Sequence, residues 1–144
     1  MNPGESLLRV GVPLLIGTGA IQLMAQLALA YTMERLPSPP ASSYPRFFML
    51  THSVAAVLII MSGHILQVIL WAVVYHFQWG EFASFAIAVY FSLANFTTLG
   101  ANDLALPPEH RLIGALEAAA GMLMFGWSTA LLVAVVQRTY HRKD

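Results

Sequence analysis

Three long apolar runs leave this chain few ways to fold. Leu7 to Tyr31 is about 25 residues with one charge, Arg9, near its start. Phe47 to Phe77 is about 31 residues without Asp, Glu, Lys or Arg, and Leu112 to Val136 is about 25 residues with one acid, Glu117. A helix crosses the hydrocarbon core of a bilayer with roughly 20 apolar residues, so each run is long enough to span. The chain is 58% hydrophobic and 10% charged, against roughly 45–50% and about 25% for soluble domains. Its formal net charge of zero carries no electrostatic footprint for nucleic acid. The absence of cysteine excludes disulfides and thiolate metal sites. The first run is too long and its start too weakly basic for a secretory signal, so it is expected to remain as an anchor.

The prolines of Pro37-Ser38-Pro39-Pro40-Ala41-Ser42-Ser43-Tyr44-Pro45 cannot continue a helix, which makes this stretch the connector between the first two spans. It divides the chain into an extra N-terminal helix with its connector, residues 1–46, and a second unit, residues 47–144. The second span ends near Gln78-Trp79-Gly80. Glu81 to Thr97 follows, about 17 residues, apolar and rich in aromatics. It is short for a span and ends in the polar stretch Thr97-Thr98-Leu99-Gly100-Ala101-Asn102-Asp103. A re-entrant helix that stops inside the membrane and returns as extended chain accounts for both features. The expected fold class is therefore an all-α membrane protein with three transmembrane helices plus a re-entrant helix and loop. Arg35, Arg46, Arg138, Arg142 and Lys143 fall on one side, Arg9 and Arg111 on the other. The positive-inside rule then places a multi-pass protein with its N-terminus outside and its C-terminus cytoplasmic.

Non-helical backbone at membrane depth is tolerated where protein buries it or where it lines a water-filled cavity. A helix ending there points the negative end of its dipole inward, which favours a cation. Backbone carbonyls beside a threonine hydroxyl can replace a cation's hydration shell. Thr98, Leu99 and Gly100 are thus candidate ligands for a monovalent cation. One loop cannot surround an ion, but four copies around an axis can, so three identical subunits are the expected partners, in a lipid bilayer.

Phe91 to Asp103, FSLANFTTLGAND, resembles the pore helix and selectivity filter of the potassium-channel superfamily, whose signature reads T-V-G-Y-G-D. Thr98, Leu99 and Gly100 match its first three positions and Asp103 its last. Arg111 begins a segment similar to the family's inner helix. Gly121 falls where the family often places a hinge glycine, and Phe125-Gly126 continues the similarity. The second span, with His64-Ile65-Leu66-Gln67 and Trp71-Ala72, is similar to the outer helix of small bacterial pores. The likeness covers about residues 50–140, leaving the first span outside it. It implies a pore helix, a filter of Thr98, Leu99, Gly100, Ala101, Asn102 and Asp103, and an inner helix with Gly121 as candidate gating hinge. Ala101 stands where the family has Tyr, and Asn102 where it has the second Gly. In the family the filter alternates handedness, which Gly100 allows and Asn102 tolerates. Without the aromatic brace the outer half is expected to be wider or mobile, because selectivity depends on the number and constraint of carbonyl sites.

Other residues carry two readings each. Asp103 is either a ring of charge at the outer mouth or a loop carboxylate tied to Tyr90 or nearby backbone. Glu117 shares a helical stripe with Ile113, Gly121, Met124 and Ser128. As an intramembrane acid it is a functional candidate, facing the back of the filter or tied to His64, Gln67 or the pore helix. His52, His64 and His76 lie too far apart on one helix to share a metal. His64 is expected to make interhelical hydrogen bonds, with pH sensing as the alternative. Gln22 and Gln26 are expected to face protein, and Gly17 and Gly19 to allow close packing. The Asn95-Phe96-Thr97 glycosylation triplet falls in the pore helix.

The functional expectation is a tetrameric, potassium-channel-like cation channel that works passively and selects weakly. K+ is the permeant ion, Na+ is a second candidate, and no cofactor is involved. The alternative is a non-conducting, pore-like membrane subunit with a degenerate filter. An enzyme is not expected, because no nucleophile–base pair is evident.

Overall fold

The computed structural model describes residues 3–35, 45–101 and 103–140. Most of the proline-rich connector, Asn102 and the end of the basic tail lie outside the described residues. Every described regular element is helical: α1 (Pro3–Ser6), a π-helical turn (Leu7–Gly11), α2 (Val12–Arg35), α3 (Pro45–Val73), a second π-helical turn (Val74–Gln78), α4 (Phe85–Phe96) and α5 (Arg111–Tyr140). Three stretches are long and apolar enough to cross a membrane: Gly4–Arg35, Leu50–Gln78 and Arg111–Gln137. These are the three expected spans. Their outer faces, such as Leu23, Met24 and Leu27 on α2 and Leu58, Ile65 and Leu66 on α3, remain exposed, as a lipid-facing surface requires.

The short helix differs from the sequence expectation at its start. Gly80 takes φ +66°, and Glu81 N–H bonds back to the Tyr75 carbonyl at 3.0 Å, so the chain reverses there. The helix opens only after Ser84, whose hydroxyl accepts the Ile87 N–H at 3.3 Å, the bond expected of an N-cap serine. The remaining 12 residues of α4 rise about 18 Å, well short of the roughly 30 Å hydrocarbon core.

The main core gathers Val10 and Leu14 from the first span, Trp71, Ala72 and Tyr75 from the second, Phe82, Ala88 and Phe91 around α4, and Ile113 and Ala120 from α5. Tyr75 stands edge-on to Phe91, with ring centroids 5.4 Å apart. Such aromatic pairs add about 0.5–1.5 kcal/mol beyond their buried area. The first span belongs to this core. Gly17 allows Leu70 close enough that a Cβ would meet its Cδ2 at 2.9 Å, as expected, but a Cβ at Gly19 would meet nothing within 4 Å among the described residues. The close approach that Gly19 was expected to make belongs instead to Gly63, where a Cβ would meet the Ala25 Cβ at 3.0 Å.

Candidate functional site

The polar stretch begins where α4 ends. Thr97 caps the helix, and Thr98 follows with φ +60°. Thr98 N–H bonds to the Asn95 carbonyl at 2.9 Å and Gly100 N–H to the Ala94 carbonyl at 3.0 Å, so the chain folds back over its own helix terminus. Helices commonly place a left-handed residue at this position, usually glycine. A β-branched residue there is a genuine outlier that costs about 1–3 kcal/mol. The expected left-handed residues were Gly100 and Asn102. Gly100 agrees with φ +78°, Asn102 lies outside the described residues, and Thr98 was not foreseen.

The hydroxyl of Thr97 turns back to the Leu93 and Ala94 carbonyls, at 2.8 and 3.3 Å. Among the described residues, the carbonyls of Thr98, Leu99 and Gly100 accept no backbone N–H. These three residues are exposed. Ala101 differs: it is half-buried against the core, and its carbonyl accepts Leu104 N–H at 3.1 Å. Asp103 is exposed, with Tyr90 Oη at 3.4 Å from its Oδ1, near the outer limit for such a bond.

Behind this loop, Glu117 is fully buried on α5. Tyr75 donates its hydroxyl to Glu117 Oε2 at 2.8 Å, and Asn95 donates Nδ2–H to the same oxygen at 2.9 Å. The Ser92 hydroxyl bonds Oε1 at 2.5 Å and lies 2.9 Å from the Val68 carbonyl. Asn95 also donates to the Gly114 carbonyl at 2.6 Å, so both protons of the triplet's amide are engaged. One carboxyl therefore ties α5 to both α4 and the π-helical turn that ends the second span. Of the partners expected for Glu117, α4 supplies Ser92 and Asn95, while His64 and Gln67 bond elsewhere. The stripe of Ile113, Glu117, Gly121, Met124 and Ser128 is buried throughout. At Gly121 a Cβ would overlap the Phe96 carbonyl oxygen, so the last carbonyl of α4 rests on the bare backbone of α5.

His64 joins a different cluster. Its Nδ1 is 3.1 Å from Gln67 Oε1 and its Nε2 3.1 Å from Ser128 Oγ. Gln22 is buried, and Gln26 accepts Trp127 Nε1–H at 3.2 Å, so both glutamines face protein. Among the described residues no group of three His, Cys, Asp or Glu could hold a metal ion.

Tyr75, Ser92 and Asn95 were not singled out as partners of an acid. Two signals pointed to them. Ser92 and Asn95 lie at i,i+3 in an otherwise apolar helix, and His64, Gln67, Trp71 and Tyr75 share one face of the second span by helical spacing. The stack of His110 on Trp79, at 3.8 Å and 4°, and the 2.6 Å contact of His110 Nδ1 with Glu81 Oε1 had no such signal. They join the loops on either side of α4.

A family model described as an ion channel matches residues 54–138. That segment runs from the second span through α4 and the polar loop to α5, and it omits the first span. No curated protein and no solved structure matches the chain. With three apolar helices long enough to cross a membrane and a match over more than half its length, the chain belongs to this ion channel family.

Proposed function

We propose that four copies of this chain form a passive channel for monovalent cations around the loops Thr98–Gly100, with α4 as a re-entrant pore helix. The observation that carries this reading is the run of three exposed residues, Thr98, Leu99 and Gly100, whose carbonyls have no backbone partners among the described residues. They follow the negative end of α4, and its dipole favours a cation. Carbonyl rings of this kind stand in for water around a dehydrated ion. K+ passes and Na+ is the second candidate. Asp103 rings the outer mouth, and Gly121 is the candidate gating hinge. Bending there would have to part α5 from the Phe96 carbonyl. Residues 1–46 form the added helix and connector, residues 47–144 the pore unit. The arginine and lysine distribution orients the N-terminus outside.

Selectivity in this reading is weak. Ala101 takes the place of the family's aromatic brace, and its carbonyl is engaged by Leu104 N–H. The outer filter therefore has fewer constrained ligands than the inner half. The same observation favours the second reading, a pore-like subunit that does not conduct. Purified protein in liposomes separates the two. The channel reading expects K+ flux above that of empty vesicles and a smaller Na+ flux. Flux of neither ion above empty vesicles, over a broad pH range, would leave the non-conducting subunit.

A further inference from the structure

The family match begins at residue 54, so it assigns nothing to the first span. Yet that span closes a ring of side chains deep in the protein. Gln67 Nε2–H donates to Gln22 Oε1 at 3.1 Å, and Gln22 Nε2–H donates to Ser128 Oγ at 3.0 Å. Ser128 Oγ lies 3.1 Å from His64 Nε2, and His64 Nδ1 lies 3.1 Å from Gln67 Oε1. An amide oxygen only accepts and an amide nitrogen only donates. The four contacts therefore run head to tail around the ring when the imidazole is the neutral Nδ1–H tautomer. His64 then donates to Gln67, and Ser128 donates to His64. All four side chains are buried. The second amide proton of Gln67 reaches the Thr18 carbonyl at 3.3 Å, and Trp71 Nε1–H donates to the Thr18 hydroxyl at 3.0 Å. One helix turn of the first span thus meets both α3 and α5.

The ring leads to the filter. The imidazole it orients packs against Phe125, with centroids 4.8 Å apart, and against Phe96 at 6.0 Å. Phe96 and Phe125 are 5.6 Å apart, edge to face. Phe96 is the last residue of α4, two before Thr98.

We propose that the first span is a working part of the permeation unit, with Gln22 as a positioning residue that closes the Gln22–Gln67–His64–Ser128 ring and so holds His64 against Phe96 at the entrance to Thr98–Gly100. This rests on the channel reading above. Gln22 touches no ion and acts through His64 and Phe96. A span that only anchored the chain would leave selectivity untouched when its polar contacts were removed.

The test uses the full chain in liposomes with three variants. Gln22→Leu keeps the volume and opens the ring at two bonds. Ser128→Ala opens it from α5 and disturbs packing least. Gln26→Leu removes the bond to Trp127, outside the ring, as a control. Nitrogen NMR of His64 in the bilayer reads the tautomer without reference to transport. The wild-type protein should show the Nδ1–H form, and both ring variants a mixture. The K+-to-Na+ flux ratio should shift about threefold in each ring variant, the change that one interhelical bond of average strength supports. It should stay unchanged in the control. The double variant should shift no further than either single one. If Gln22→Leu does not fold, Ser128→Ala decides. An unchanged tautomer in the ring variants overturns the ring. A changed tautomer with an unchanged ratio overturns the positioning role and leaves the channel standing. Absence of wild-type flux removes the channel reading, and this proposal with it.

Discussion

Replacing Glu117 by alanine tests the tie of α5 to α4 and the second span directly. The carboxyl holds three donors, Tyr75, Ser92 and Asn95, from two other helices. Interhelical hydrogen bonds in a bilayer average about 0.6 kcal/mol each and reach about 1.7. Losing three therefore removes about 2 kcal/mol at the average. Alanine also leaves a void at a fully buried position, and a stranded buried donor costs about 1–3 kcal/mol. The expected loss is roughly 2–5 kcal/mol, a large part of the stability of a marginally stable domain. Glu117→Gln should behave differently. Its amide oxygen can accept from Tyr75 and Asn95, and its amide nitrogen can donate to Ser92. Ser92 then gives its proton to the Val68 carbonyl, 2.9 Å away, and the cost should stay below about 1 kcal/mol. Unfolding in mixed micelles, followed by circular dichroism against denaturant, reads both variants on one scale. Alanine and wild-type curves that coincide would refute the claim that this carboxyl ties the helices. A glutamine variant as unstable as alanine would refute the donor and acceptor assignment.

Gly121→Ala should be destabilising by about 1–3 kcal/mol or fail to fold, because overpacking forces backbone to move and here the obstacle is the Phe96 carbonyl; the same micelle unfolding measures it, and a neutral result would mean the two helices do not touch there. Thr98→Gly relieves a left-handed β-branched residue and should stabilise the fold by about 1 kcal/mol, while removing a candidate cation ligand and so lowering K+ flux. A variant that is more stable and equally conductive would remove the Thr98 hydroxyl from the ion path. Ala101→Tyr with Asn102→Gly restores the family signature and should raise the K+-to-Na+ flux ratio, and an unchanged ratio would contradict the account of Ala101.

The extent of the three spans was legible in the sequence because it depends on length and apolar composition alone. Runs this long satisfy their backbone internally wherever they cross a membrane. The short fourth helix was legible for a related reason: it is apolar but too short to span. Its start was read four residues early, because Gly80 and Ser84, not hydrophobicity, decide where it begins. In the polar loop the family likeness predicted a left-handed Gly100, which the chain adopts, and missed Thr98. Thr98 sits just after the cap of α4, where helices commonly turn left-handed, usually at glycine.

What only tertiary structure decided is which polar side chains meet. The sequence places Glu117, Gln22, His64 and Ser128 in apolar helices and says that each needs a partner, because lipid offers none. It does not choose among partners, since that depends on how the helices rotate and slide against one another. The folded chain pairs Glu117 with Tyr75, Ser92 and Asn95 and gives His64 to the ring with Gln22, Gln67 and Ser128. It leaves Gly19 without a close neighbour among the described residues while Gly17, two residues away, receives Leu70. The sequence by itself determined that this chain belongs in a membrane and carries a polar loop between its last two spans. Packing of the helices decided which groups hold that loop in place.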